Sequence, residues 1–125
     1  MFDHIGTFEG DSAKYKAFLF DLLVAIGRVD KALEDGIRGF LKYHKDKNEA
    51  PEDWRGGSTS SGLDRGLWEA YRGELYGILV SKTSGKAKGI MRGLSEVGET
   101  DGFKALLIFD KRFDIRTSAY RRIWM

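Results

Sequence analysis

The chain has 125 residues, of which 42% are hydrophobic and 32% charged, and its formal net charge is +2. That composition supplies a folded core and does not indicate a chain that binds polyanions along its whole length. With no cysteine, disulfides, thiol catalysis and Cys-based zinc sites are excluded, and His4 and His44 lack the spacing of metal ligands. No membrane span or signal peptide is evident, so we expect a soluble, cytoplasmic protein. We also expect no metal, no cofactor and no small-molecule substrate.

The first ten residues are predicted to form an extended N-terminal arm or short hairpin, which Phe2, Ile5 and Phe8 anchor on the core. Either Asp11 or Ser12 has the side chain to cap a following helix. That helix is indicated by apolar residues spaced three and four apart. They are Tyr15, Phe18, Leu19, Leu22, Leu23 and Ile26.

A second helix is predicted from Asp30 to His44. The polar segment 45–62, which contains the only proline, is predicted to be a mobile loop. Its Trp54 is expected to fold back over the core, the alternative being an exposed aromatic for a partner. The buried stripe of the second helix consists of Val29, Leu33, Ile37, Phe40 and Leu41.

Four further helices complete the prediction. They cover about 64–81, about 84–97, a segment that begins after Thr100 or Asp101, and the last ten residues, "RTSAYRRIWM". One side of the fifth helix carries its apolar residues, Phe103 and Phe113 among them. Because apolar spacing is mostly three or four and proline is nearly absent, we expect an all-α bundle of five or six helices.

The glycine-rich stretch "SGKAKGIMRG", residues 84–93, resembles a phosphate-binding loop only superficially. That motif needs a glycine five positions before Gly85, where this chain has Val80. It also needs Ser or Thr after the lysine, where this chain has Ala87. Glycines here instead recur at intervals of four, on one helix face, and the third helix has its own stripe. We therefore predict close helix packing through Gly73, Gly77, Gly85, Gly89 and Gly93.

Charge is unevenly distributed. Residues 1–80 carry a net charge of −3 and residues 81–125 a net charge of +5. The basic third allows an alternative function, that of a helical module that binds nucleic acid through phosphate contacts. Its candidate contacts are Lys82, Lys86, Lys88, Arg92, Lys111, Arg112, Arg121 and Arg122.

Two blocks of the sequence resemble the Gag proteins of LTR retrotransposons, most nearly the copia type. In "GTFEGDSAKYKAFLFDLL", Phe8, Gly10, Tyr15 and Phe18 occupy the family's Phe-x-Gly, Tyr and first-helix aromatic places, although the family often has Trp where Phe18 stands. The second block spans residues 67–113. Its matching positions are Gly85, Ala87, Gly102, Phe103, Ala105 and Leu106.

The resemblance implies a retroviral-capsid-like domain over residues 1–125, with a lobe boundary near 98–100. It implies a structural self-assembly protein without an active site, whose copies form oligomers or virus-like shells that enclose RNA. In the family, RNA binding often belongs to a downstream basic tail or zinc knuckle, so we expect RNA binding by this segment to be weak. The partner is then a second copy, and the last residues offer three apolar interface candidates, Tyr120, Ile123 and Trp124.

Overall fold

The computed structural model describes residues 5–56 and 62–114, in which five α helices are present and no β-strand. The helices are α1 (Ser12–Val29), α2 (Lys31–Lys45), α3 (Arg65–Ser81), α4 (Gly85–Glu96) and α5 (Gly102–Phe113). A short 3₁₀ helix, Pro51–Asp53, lies between α2 and α3. The predicted all-α bundle is confirmed, while the predicted sixth helix falls outside the described residues.

Aspartates cap four of these helices at their N-termini. Side chains of Asp11, Asp30, Asp64 and Asp101 accept hydrogen bonds from backbone N–H groups in the first turn, at 2.9–3.2 Å. Each bond satisfies a donor that the helix itself leaves unpaired. Asp30 also ends α1, so a single residue separates α1 from α2. The predicted caps at Asp11 and Asp101 are confirmed.

Helix α5 is the centre of the molecule. Arg112 is its one exposed residue, and the helix packs against α2, α3, α4 and the 3₁₀ helix. The apolar residues before and after positions 98–100 belong to one continuous core. The lobe boundary near 98–100 stays a prediction, and α5 is buried on all sides rather than along one stripe.

The segment between α2 and α3 is partly anchored on the core. Trp54 is only 7% exposed, and its ring centroid lies 4.9 Å from that of Phe40. This confirms that Trp54 folds back, while residues 57–61 of the predicted loop are outside the described part.

At the corner between α1 and α2, Val29 was predicted to be buried and is 58% exposed, because it is the last residue of α1 and points away from the core.

The residues before α1 cross the end of α3. Phe8 forms an isolated parallel bridge with Thr83, and its N–H and carbonyl bond to Lys82 and Ser84 at 2.9 and 3.0 Å. Its ring stacks on Phe18 at 5.1 Å, deep in the core. Burial of Phe8 and Ile5 confirms two predicted anchors, whereas Phe2 lies outside the described residues.

The glycine prediction is wrong for four of its five positions. A Cβ built on Gly73, Gly77, Gly89 or Gly93 would meet nothing within 4 Å, and all four are exposed. They form the solvent faces of α3 and α4. Gly85 begins α4 with a φ of 55°, and a Cβ there would lie 3.1 Å from the carbonyl oxygen of Glu9, so it serves a turn.

Close helix approach occurs at other glycines, of which Gly27 and Gly102 have the most crowded surroundings. The side chain of Glu34 on α2 occupies the space that a Cβ of Gly27 on α1 would need. A Cβ on Gly102 would collide with the α3 backbone at Tyr76 and lie 2.5 Å from the Cβ of Leu75. These contacts fix α1 against α2 and α5 against α3.

Candidate functional site

A groove of about 650 Å³ separates the N-terminal half of α1 from the C-terminal half of α2. The two helices are in close contact near Gly27, where α1 ends and α2 begins. They diverge toward their opposite ends, and the groove lies between those ends. Phe20 forms one wall and is 61% exposed, which is unusual for a phenylalanine. The other large apolar lining residues are Leu19, Leu23 and Leu41.

The rim of the groove is mainly basic. Lys16, Arg38 and Lys42 are exposed there, and Asp21 is the one exposed acid that lines the groove. Arg38 is paired with Glu34 of its own helix at 2.7 Å. Within the described residues, Lys16 and Lys42 form no ion pair or side-chain hydrogen bond, so their charges are available to a partner.

The deep end of the groove holds a buried polar contact between α1 and α5. The Tyr15 hydroxyl donates to Oδ1 of Asp110 at 3.1 Å, and Lys45 Nζ lies 3.7 Å from Asp114 Oδ2. Burial raises the pKa of Tyr15 well above its usual value, with the Asp110 charge adding to the effect, and burial also raises the pKa of Asp110. A tyrosine held in its protonated form fixes two helices together and does not act as a base near neutral pH.

Metal and membrane sites find no support in the described part of the chain. Its His, Asp and Glu residues form no group of three that could hold a metal ion. None of the helices there is long and apolar enough to cross a membrane.

Three of the proposed RNA contacts, Lys82, Lys88 and Lys111, are used inside the fold. Lys88 Nζ donates to the Val80 carbonyl at 2.7 Å, and Lys82 Nζ donates to the Ile5 carbonyl at 3.4 Å. Lys86 and Arg92 are exposed on α4. These two residues form a small basic surface on α4, and Arg121 and Arg122 lie outside the described residues.

Lys111 was interpreted as a phosphate contact, and that interpretation is wrong. Its side chain is buried, and Nζ donates to the carbonyls of His44 and Lys47, the latter at 2.8 Å. A cation at the carboxyl end of α2 is favourable because the unpaired carbonyls carry partial negative charge. Arg112, another proposed phosphate contact, is exposed, and its Nη2 lies 3.8 Å from Oε1 of Glu52.

The interface candidates Tyr120, Ile123 and Trp124 lie outside the described residues. Within the described part, the exposed large apolar residues are Phe20, Val29, Tyr43 and Val97. Sequence analysis missed Phe20, although a signal was present. It is an apolar residue between the stripe positions Leu19 and Leu22, where an amphipathic helix normally has a polar side chain.

No family model, curated protein or solved structure matches this chain. Support for a function therefore comes from the residues of the groove and the exposed apolar side chains. The Gag resemblance stays a hypothesis that rests on the two sequence blocks.

Proposed function

We propose that the chain is a structural self-assembly protein, a Gag-like capsid domain whose copies form oligomers or shells that enclose RNA. The observation that carries the proposal is the α1–α2 groove, with its apolar wall and exposed Phe20. Water-exposed aromatic surface next to a concave apolar groove is a feature of protein interfaces, where aromatic residues are enriched. A second copy that covers this groove removes Phe20 from water.

Assembly accounts for the groove better than catalysis does. The titratable residues at its deep end form a buried hydrogen bond between Tyr15 and Asp110 and an ion pair between Lys45 and Asp114. An acyl- or phosphoryl-transfer site needs a nucleophile beside a base that can deprotonate it. The Tyr15–Asp110 bond has the opposite effect, since it favours protonated Tyr15.

The test of self-association is the mass in solution as a function of concentration, measured by light scattering at low salt. We expect the wild-type chain to form dimers or larger species. Phe20→Ala removes about 2 kcal/mol if Phe20 is an interface anchor, which is roughly a thirtyfold weaker association. Val29→Ala is the matched control, because Val29 is similarly exposed on the same helix but does not line the groove.

Both substitutions are at exposed positions and should change the free energy of unfolding by less than about 0.5 kcal/mol. Equal masses for Phe20→Ala and wild type would contradict a role for the groove. Trp124→Ala tests the other interface candidate in the same measurement, and a shift to monomer in that variant alone places the contact in the C-terminal residues. A wild-type chain that stays monomeric at millimolar concentration contradicts self-assembly altogether.

The alternative function is a helical nucleic-acid-binding module. It is favoured by the exposure of Lys86 and Arg92, and weakened by the carbonyl contacts of Lys82 and Lys88. A monomeric chain that shifts RNA in a gel at physiological salt would support this alternative. Binding through phosphates alone should weaken steeply as salt increases.

A further inference from the structure

The turn after α4 presents the most exposed large apolar side chain of the described residues, Val97, which is 69% exposed. The backbone of the turn around Val97 is fixed by two hydrogen bonds. Gly98 N–H donates to the Ser95 carbonyl at 3.1 Å, and Glu99 N–H donates to the Leu94 carbonyl at 2.9 Å. This pattern is a Schellman motif, completed by Gly98 at a φ of 77°. Val97 is therefore held out from the surface on a rigid turn.

This turn is acidic, while the rim of the groove is basic. Residues 95–101 include Glu96, Glu99 and Asp101 and no basic residue. Glu96 is exposed, and within the described residues it has no ion-pair partner, whereas Glu99 is paired with Lys104. The carboxyl end of α4 adds partial negative charge at the same place.

We propose that the α1–α2 groove of one copy binds the Val97 turn of a second copy, which gives a head-to-tail contact. The inference rests on the proposed self-association and names the two surfaces that carry it. Val97 enters the apolar part of the groove beside Phe20, and Glu96 lies near Lys16 and Lys42. The turn is already rigid, so binding costs little conformational entropy there.

A symmetric contact between two grooves is disfavoured by charge. It would bring the unpaired Lys16 and Lys42 of one copy close to the same lysines of the other, and like charges oppose association. In the head-to-tail contact each copy offers one groove and one turn. Such heterologous contacts build rings when the rotation closes and open chains when it does not.

The same argument disfavours the last residues of the chain as the occupant. Positions 115–125 contain Arg116, Arg121 and Arg122 and no acidic side chain, so their charge repels the rim. Because the attraction is between exposed charges, the head-to-tail contact should weaken as salt rises above physiological ionic strength.

The experiment uses two full-length variants, each with one damaged surface. Lys16→Glu with Lys42→Glu reverses the charge of the groove rim, and Glu96→Lys with Val97→Lys damages the turn. Each variant alone should associate less tightly by on the order of tenfold or more. Lys14→Glu with Lys86→Glu is the charge-matched control, because both lysines are exposed and neither lines the groove.

Mixing the two variants gives the decisive result. One still has an intact turn and the other an intact groove, so the mixture should form a heterodimer of twice the monomer mass that grows no further. Circular dichroism establishes that each variant is folded.

Three results would overturn the inference. A variant that associates like wild type places the contact elsewhere and leaves self-assembly intact. Two monomeric variants that do not pair on mixing indicate that the groove of one copy does not bind the turn of the other. A monomeric wild-type chain that binds an acidic amphipathic peptide instead overturns both the inference and the proposed function.

Discussion

Asp110 is a carboxylic acid placed where its charge is costly. It is 6% exposed, and it accepts a hydrogen bond from Tyr15. The surrounding charged groups are Asp114, which disfavours ionisation, and Lys45 and Lys111, which favour it. Burial is the largest influence, and the pKa of Asp110 is raised above its usual 3.8. The folded protein therefore binds a proton at Asp110 more readily than the unfolded chain does.

Asp110→Asn should increase stability at neutral pH, since the amide oxygen still accepts the Tyr15 hydrogen bond without a buried charge. The stability gained over wild type should fall as pH drops through the raised pKa. It should vanish below about 3.8, where the carboxyl is protonated in both the folded and the unfolded wild type. Melting temperatures of both proteins from pH 3 to 8 measure this difference. A variant less stable than wild type at pH 7 would mean that the charge of Asp110 stabilises the fold.

At the scale of helices, glycine has two different roles in this fold. Gly102 lets the first turn of α5 approach the α3 backbone, where a Cβ would collide with Tyr76. Gly89 lies on the open face of α4, where a Cβ meets nothing within 4 Å. The same residue type is required for packing in one helix and only costs conformational entropy in the other.

Opposite effects on stability are expected when alanine replaces these two glycines. Gly89→Ala should stabilise the protein by about 0.5–1 kcal/mol, because alanine favours the helix and has room. Gly102→Ala should destabilise it by about 1–3 kcal/mol through overpacking against α3. Urea unfolding of both variants beside wild type measures the difference. Destabilisation by Gly89→Ala would indicate that another copy packs on that face.

The helices could be predicted from sequence because their signals are local. Apolar spacing located α1 to α3, and Asp11 and Asp101 indicated where two helices begin. Glycine has no such signal, since a stripe of glycines looks the same whether it faces another helix or water. The full burial of α5 was hidden by Lys104, Asp110 and Lys111, whose charges find partners only in the folded chain.

The groove could not be predicted for a related reason. It exists because α1 and α2 touch at Gly27 and separate toward Tyr15, and that separation depends on how both helices pack on α5. The sequence contained the off-stripe Phe20 and the basic residues Lys16 and Lys42 as separate facts. Only the folded chain brings them to one surface.

The described residues form a single core around α5. Phe109 is fully buried, and its ring centroid lies 6.1 Å from Phe8 and 5.9 Å from Phe113. The aromatic cluster thereby connects the residues before α1 to the last helix. A core that joins both ends of the described chain predicts that all five helices unfold together.

Phe109→Ala tests that prediction, because it opens a cavity at the centre of the core. It should reduce the free energy of unfolding by about 3–5 kcal/mol, a large part of the 5–15 kcal/mol typical of a folded domain. Because the core is shared, helix content from circular dichroism and tryptophan environment from fluorescence should be lost in one transition, at a lower urea concentration than in wild type. Val29→Ala is the control and should change stability by less than about 0.5 kcal/mol, since its side chain is mostly in water. Two separate transitions, with part of the helix content retained after the first, would contradict unfolding as one unit and support the boundary near 98–100 that the Gag resemblance implied.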